Sequence, residues 1–449
     1  MQYRPRQAGA DHHDIGFGAR GRALGIYQPH EPAARRRRFG RYSLAAVADM
    51  VDHSTIGGFC HWGVAVMPKR LIVCCDGTWN TADQAIAGNP SPTNVTKLAL
   101  SIAPEDSSGV RQCVYYHSGV GTSRWERLRG GAFGAGLSRN VFDAYRFLVD
   151  NYQDGDWLYL FGFSRGAFTA RSLSGLIRNS GILRRENADR IDDAWALYRS
   201  SADTPRGVAA TLFRGAYSYA PRIHFIGVWD TVGALGIPAL GPPWLKPIVT
   251  WLNSRYQFHD TNLSTQVHGA FHALAIDEER KAFEPTLWHQ QPGADQQDPK
   301  QELKQVWFTG VHCDIGGGYP DTSLSDIALL WLAERARDYG LEFQPGAFSA
   351  GGPSEMTPGE SIAFKVVPDA MKGPHSSWTK FYRFVAPFHR PIGKAAATKD
   401  GPLDGCEYLA TSAKDRYDHD QHYRPPELVT YLGNSAGVHT ETVPEKAWS

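Results

Sequence analysis

The chain has 449 residues, 42% of them apolar and 21% charged, with a formal net charge of +1. That length suits one large α/β domain with insertions, or two domains, and so even a charge balance gives no electrostatic basis for nucleic acid as a partner. No apolar run approaches the ~20 residues that cross a bilayer, and the N-terminus lacks the charged-then-apolar pattern of a secretory signal, so the chain reads as cytoplasmic.

Residues 1–66 carry Arg35-Arg36-Arg37-Arg38 among scattered Gly and His with no sustained period. They read as a disordered or mis-assigned extension rather than a nucleic-acid arm or a targeting segment. Met67-Pro68-Lys69-Arg70 directly precedes the first convincing strand, so Met67 reads as an alternative start. Residues 67–435 then form one domain with insertions. It has a C-terminal subregion over 341–435, and a tail over 436–449 that is expected to fray. Leu71-Ile72-Val73-Cys74-Cys75 is a buried strand ending in Asp76-Gly77-Thr78-Trp79-Asn80, and Gln112-Cys113-Val114-Tyr115-Tyr116 is a second. The six cysteines include no C-x-x-C pair, which argues against a zinc knuckle, and Cys74 and Cys75 read as reduced core thiols. A helix is predicted over Asn140–Tyr152, capped by Ser138 or Asn140.

The stretch from Trp157 to Ala167 is the centre of the pattern. Trp157-Leu158-Tyr159-Leu160-Phe161 reads as a strand and runs into Gly162-Phe163-Ser164-Arg165-Gly166, which fits the G-x-S-x-G nucleophile elbow. Ala167, Ala170, Leu173 and Ile177 follow at helical spacing, to a stop near Asn179-Ser180-Gly181. The glycines have a physical role, because side chains at Gly162 and Gly166 would clash with the neighbouring strand and helix.

Beyond the elbow, residues 184–201 read as a charged helix and Arg222–Trp229 as a strand ending in Asp230-Thr231-Val232-Gly233. Residues 235–258, rich in Pro, Gly, Leu, Ile and Trp, read either as a lid or acyl-binding wall or as core packing, with a short helix at Lys246–Leu252. Phe271–Asp277 is ambiguous between helix and strand. Lys304–Phe308 is a strand leading to Val311-His312-Cys313-Asp314 and the glycines 316–318, and Ser325 or Asp326 caps a helix that stops at Gly340.

Strands alternating with helices predict a mostly parallel sheet covered on both faces, an α/β-hydrolase-like fold with its site at the carboxyl ends of the strands. Asp76, Ser164, Asp230 and His312 each follow a predicted strand. A serine hydroxyl needs a base to take its proton, and an imidazole needs a carboxylate on its other nitrogen. Ser164, Asp230 and His312 stand in the Ser-acid-His order of α/β-hydrolases. Asp260 and Asp277 compete as the acid, and His272 and His259 as the base. The developing oxyanion needs backbone donors. These are the N–H of Arg165, after the nucleophile, and that of Gly77 or Thr78 in the loop after an early strand. Asp76 also has a reading as a phosphatase nucleophile, and His312-Cys313-Asp314 as half a metal site.

Taken together, Asp76-Gly77-Thr78-Trp79-Asn80, Gly162-Phe163-Ser164-Arg165-Gly166-Ala167, Gly227-Val228-Trp229-Asp230-Thr231-Val232-Gly233 and Val311–Tyr319 resemble the successive motifs of one family. It is the α/β-hydrolase family of type VI secretion phospholipase effector catalytic domains, formerly a domain of unknown function. The resemblance spans roughly Lys69 to Tyr339, and Ala275–Arg280 with Phe283-Glu284-Pro285 is similar too, as a brace behind the site. It implies a Ser-Asp-His esterase acting on acyl esters, phospholipids foremost. Ser164 would be the nucleophile, Asp230 the orienting acid and His312 the base, and neither metal nor organic cofactor would be required. Peripheral membrane contact and export by a type VI system are open readings. A hydrolase of small soluble esters, or a catalytically silent binding member of the fold, would carry the same motifs.

Overall fold

Leu71, Val73 and Cys75 alternate with Ile72 and Cys74 along β1 (Arg70–Cys75), and both sets are buried. A strand covered on both faces has no reason to alternate polar with apolar residues, which is why it reads as an unbroken apolar run. The structure, a computed structural model, describes residues 68–77, 85–86, 89–119, 133–200, 203–233, 262–291, 293–294, 298–350, 364–377, 386–394, 406–434 and 437–448. The extension 1–66, Thr78, the segment 235–258 with its expected helix, and the competing His259 and Asp260 lie outside the described residues.

After β1 come α1 (Asn94–Ser101), β2 (Gln112–His117), α2 (Phe133–Asn151), β3 (Trp157–Phe163) and α3 (Arg165–Ser180). Next are α4 (Ile191–Arg199), α5 (Val208–Tyr217), β4 (Ile223–Trp229), β5 (Val267–Ala275) and β6 (Glu302–Phe308). The chain ends with the short α6 (His312–Gly316), α7 (Ser323–Asp338), β7 (Glu407–Ala410), α8 (Thr411–His419), α9 (Pro426–Gly433) and β8 (Thr440–Glu441). These strands form an eight-stranded sheet in the order β8-β7-β6-β5-β4-β3-β1-β2, every pair parallel. The fold is thus an α/β, hydrolase-like one.

The sheet divides two apolar layers. On one face Ile72, Phe161, Phe225, Phe271 and Trp307 pack with Val95 and Leu98 of α1 and Leu330 and Trp331 of α7. On the other, Leu71, Val73, Leu160 and Ile226 pack with Tyr145 and Leu148 of α2 and Leu173 and Ile177 of α3. Each such large side chain contributes about 1.5–3 kcal/mol on burial. The chain starts at β1, steps outward to β2, then crosses back to β3 and proceeds to the far edge. The direction therefore switches between β1 and β3, where open α/β sheets leave a crevice beyond the strand ends.

Several expected boundaries move. Of the ambiguous Phe271–Asp277, residues 271–275 are the end of β5, paired with β4 and β6, and Ile276 and Asp277 lie just beyond it. The helix expected from Asn140 starts at Phe133, because glycines 134 and 136 dilute the helical signal of its first turns. The charged stretch after Arg184 is a 3₁₀ turn, Arg185–Arg190, followed by α4. Helix α7 begins before the expected caps: Thr322 is the N-cap, and Asp326 lies inside the first turn, buried and paired with Lys97 at 2.7 Å. The tail expected to fray instead supplies β8, and Trp448 packs its ring against Phe343 and Phe348.

Candidate active site

Strand β3 ends at Phe163 and α3 starts at Arg165, leaving Ser164 alone to make the turn. It does so at φ 57° and ψ −119°, a conformation that residues with a Cβ rarely adopt. The turn is held because Ser164 N–H donates to the Trp229 carbonyl at 3.0 Å, and because the flanking glycines permit close approach. A Cβ on Gly166 would lie 2.1 Å from the Cys75 carbonyl oxygen, and one on Gly162 2.5 Å from the Gly166 oxygen. The Ser164 hydroxyl is not used to cap α3. Arg165 is the first residue of α3, so its amide lies at the helix N-terminus.

Asp230 follows β4 as Ser164 follows β3, and the register pairs Phe163 with Trp229, so the two residues leave adjacent strand ends. His312 arrives from β6, two strands further on, at the start of α6. Its Nδ1 lies 2.5 Å from Asp230 Oδ2. The imidazole is buried between two rings, Phe163 at 4.7 Å and Phe283 at 4.8 Å between centroids. Contact with Phe163, the residue before Ser164, sets the imidazole beside the elbow. No hydrogen bond joins the Ser164 hydroxyl to the imidazole, whose Nδ1 is bonded to Asp230.

Asp230 is fully buried and makes a dense set of bonds. Its Oδ1 accepts from the Ala275 amide at 3.1 Å and from Arg390 Nη1 at 2.6 Å, while Oδ2 accepts from Arg390 Nη2 at 3.0 Å. Burial alone would push this carboxyl up. The Arg390 guanidinium and the His312 hydrogen bond outweigh it and hold the group well below the usual carboxylate range. Glu278, buried as well, accepts from the His312 amide at 3.3 Å and is itself paired to Arg280 at 2.6 Å. The backbone oxygen of Phe283 accepts from Arg390. The Glu278–Phe283 segment thus lies behind the imidazole, where the sequence suggested a brace. Arg390 had no local signal, because it stands in an irregular stretch far from every motif.

Of the competing groups, the described His272 and Asp277 are occupied elsewhere. His272 is buried, its Nε2 accepts the Thr231 amide at 3.0 Å, and burial with the nearby Arg171 charge pushes it down to about 3. Asp277 accepts from the Gly310 amide at 2.6 Å and the Tyr423 hydroxyl at 3.0 Å. Asp76 Oδ2 takes the hydroxyls of Thr93, Thr96 and Tyr116 at 2.7, 3.0 and 2.8 Å, so it ties β1 to α1 and β2. The Gly77 amide donates to Asp76 Oδ1 at 2.6 Å, inside the loop. Asp314 turns away from His312 to His375, at 2.6 Å, so the two do not act as a shared ligand pair.

A family model described as the catalytic domain of the T6SS phospholipase effector Tle1-like proteins matches residues 69–335. The chain belongs to this family. The matched segment carries Ser164, Asp230 and His312, whereas Arg390 lies beyond it. An uncharacterized Saccharomyces cerevisiae protein, YEL023C, is 30% identical over 249 residues, 50% of this chain and 33% of that protein. The chain therefore spans about a third of the length of this curated relative. A crystal structure of an uncharacterized protein from Pseudomonas aeruginosa aligns at 21% identity with a TM-score of 0.36, over 62% of this chain and 46% of that one.

Proposed function

We propose that the chain is a serine ester hydrolase of phospholipase A type, a lipolytic carboxylesterase working through Ser164, His312 and Asp230. The observation that carries the reading is the 2.5 Å bond between His312 and Asp230 beside a serine held at positive φ on a strand-to-helix turn. Ser164 Oγ attacks the ester carbonyl while His312 Nε2 takes its proton. Asp230 fixes the tautomer by accepting from Nδ1 and balances the imidazolium that forms. The tetrahedral oxyanion is met by the amide of Arg165, at the positive end of α3, and by that of Thr78. His312 then returns the proton to the departing alcohol, and water repeats the sequence to release the acid. Family membership supports a lipid as the acyl donor.

A fluorophosphonate probe is expected to label the wild-type chain and not Ser164→Ala. Hydrolysis of phosphatidylcholine vesicles is expected to exceed that of short soluble esters. Labelling that persists in the variant, or is absent from both, would refute the serine mechanism. A preference for short soluble esters would move the substrate class to small molecules.

A further inference from the structure

The guanidinium of Arg390 reaches Asp230 from a part of the chain 160 residues away, outside the matched family segment. It is 1% exposed, and two of its nitrogens meet the two carboxylate oxygens at 2.6 and 3.0 Å. The same nitrogens donate to the carbonyls of Ala275 and Phe283, so the fork is itself held at both ends. A planar fork on a planar carboxylate fixes the carboxylate's rotation as a single contact would not. With Oδ1 also taking the Ala275 amide, Oδ2 is left aimed at His312 Nδ1.

The fork also brings a charge. The other groups facing this pair are Glu278, at the His312 amide and paired with Arg280; His272, on the Thr231 amide; Asp314, turned to His375; and the buried Cys313. Arg171 acts at longer range, through His272. Among the described residues, Arg390 is the cation in direct contact with Asp230.

We propose that Arg390 is a positioning residue for hydrolysis. It acts through Asp230 to orient His312, and its charge against that carboxylate loosens the hold of the Asp230–His312 pair on a proton. This rests on the triad reading above. The sign does not depend on which member of the pair carries the proton. A cation beside the pair disfavours protonation of either, so its removal favours proton uptake.

The test is the pH dependence of kcat/KM on a soluble ester, with the full chain, for wild type, Arg390→Met, Arg390→Lys and Ser164→Ala. Arg390→Met is expected to move the acidic limb to higher pH by about one unit or more. Arg390→Lys keeps the charge and loses the fork, so the limb stays near its wild-type position while kcat falls about tenfold or more. An unmoved limb in Arg390→Met, whatever its plateau, overturns the proposal, and so does wild-type kcat in Arg390→Lys. If Arg390→Met gives no cooperative melt, Arg390→Gln, neutral but still a donor, takes the pH test, and the kcat of Arg390→Lys decides the orientation half. Hydrolysis surviving in Ser164→Ala would sink the triad reading instead. An inert Ser164→Ala beside an unmoved limb sinks only the role of Arg390.

Discussion

Replacing Gly166 by Ala tests the elbow at its tightest point. The added Cβ would sit 2.1 Å from the Cys75 oxygen, 2.4 Å from the Asp76 oxygen and 2.6 Å from the Cys75 carbonyl carbon. Comfortable contacts of carbon begin near ~3.5 Å, so α3 and the end of β1 must part by about 1 Å. The struck atoms are backbone at the end of a strand hydrogen-bonded on both sides, so β1 cannot yield by changing a rotamer. Moving α3 instead disturbs the buried Ala167, Ala170, Leu173, Leu176 and Ile177. The expected cost is the upper end of the over-packing range, about 3 kcal/mol. Molecules that still fold carry a displaced Ser164, and about 1 Å of misplacement is worth a hundredfold in rate. Gly215→Ala is the matched control. It lies in α5 with nothing within 4 Å of the new Cβ, so it should gain about 0.5–1 kcal/mol. Urea unfolding followed by tryptophan fluorescence, with ester hydrolysis on the same samples, reads both effects. Equal midpoints and unchanged activity for Gly166→Ala, or the same sign for both variants, would refute the close-approach argument.

Burial pushes the Asp277 carboxyl up to about 6, so the folded state holds a proton that the unfolded chain gives up. The stability this contributes is complete below the unfolded value of about 4 and is lost as pH rises through about 6. Asp277→Asn, neutral throughout and still offering an oxygen to Gly310 and Tyr423, should match wild type near pH ~4 and exceed it by about 3 kcal/mol at pH ~8. The same difference in thermal melts at both pH values would contradict this. Lys97 and Asp326 form a buried pair at 2.7 Å that joins α1 to α7. Lys97→Met strands the carboxylate and should cost about 3–5 kcal/mol, while Lys97→Met with Asp326→Asn should recover most of it. Additive losses in denaturant titrations would show that the two charges are not coupled.

The readable parts of this molecule are those whose cause is local. Leu158 to Ala170 encode strand, turn and helix within one short window, and α3 ends where Gly181 takes a φ of 73°. The parallel sheet was legible because strands buried on both faces are continuous apolar runs, as in β1 and β3. Phe271–Ala275 was not, since an apolar run of that length fits helix or strand equally until neighbours on both sides hydrogen-bond to it. The start of α7 was missed for a related reason. Asp326 resembles a surface cap in sequence, and only its burial against Lys97 makes it an interior residue of the first turn.

The sequence by itself determined which residues stand at strand ends, in what order, and that the turn at Ser164 needs glycine on either side. It also carried enough of the motif series to identify the family. Only the tertiary structure decided that His312 meets Asp230 rather than another carboxylate, that His272 is spent on the Thr231 amide, and that Arg390 grips the acid from the far end of the chain. The physical reason is the range of the forces involved. Turn sterics and apolar periodicity act between neighbours and leave a local imprint, whereas an ion pair spanning 160 residues is specified only by the packing that brings its partners together.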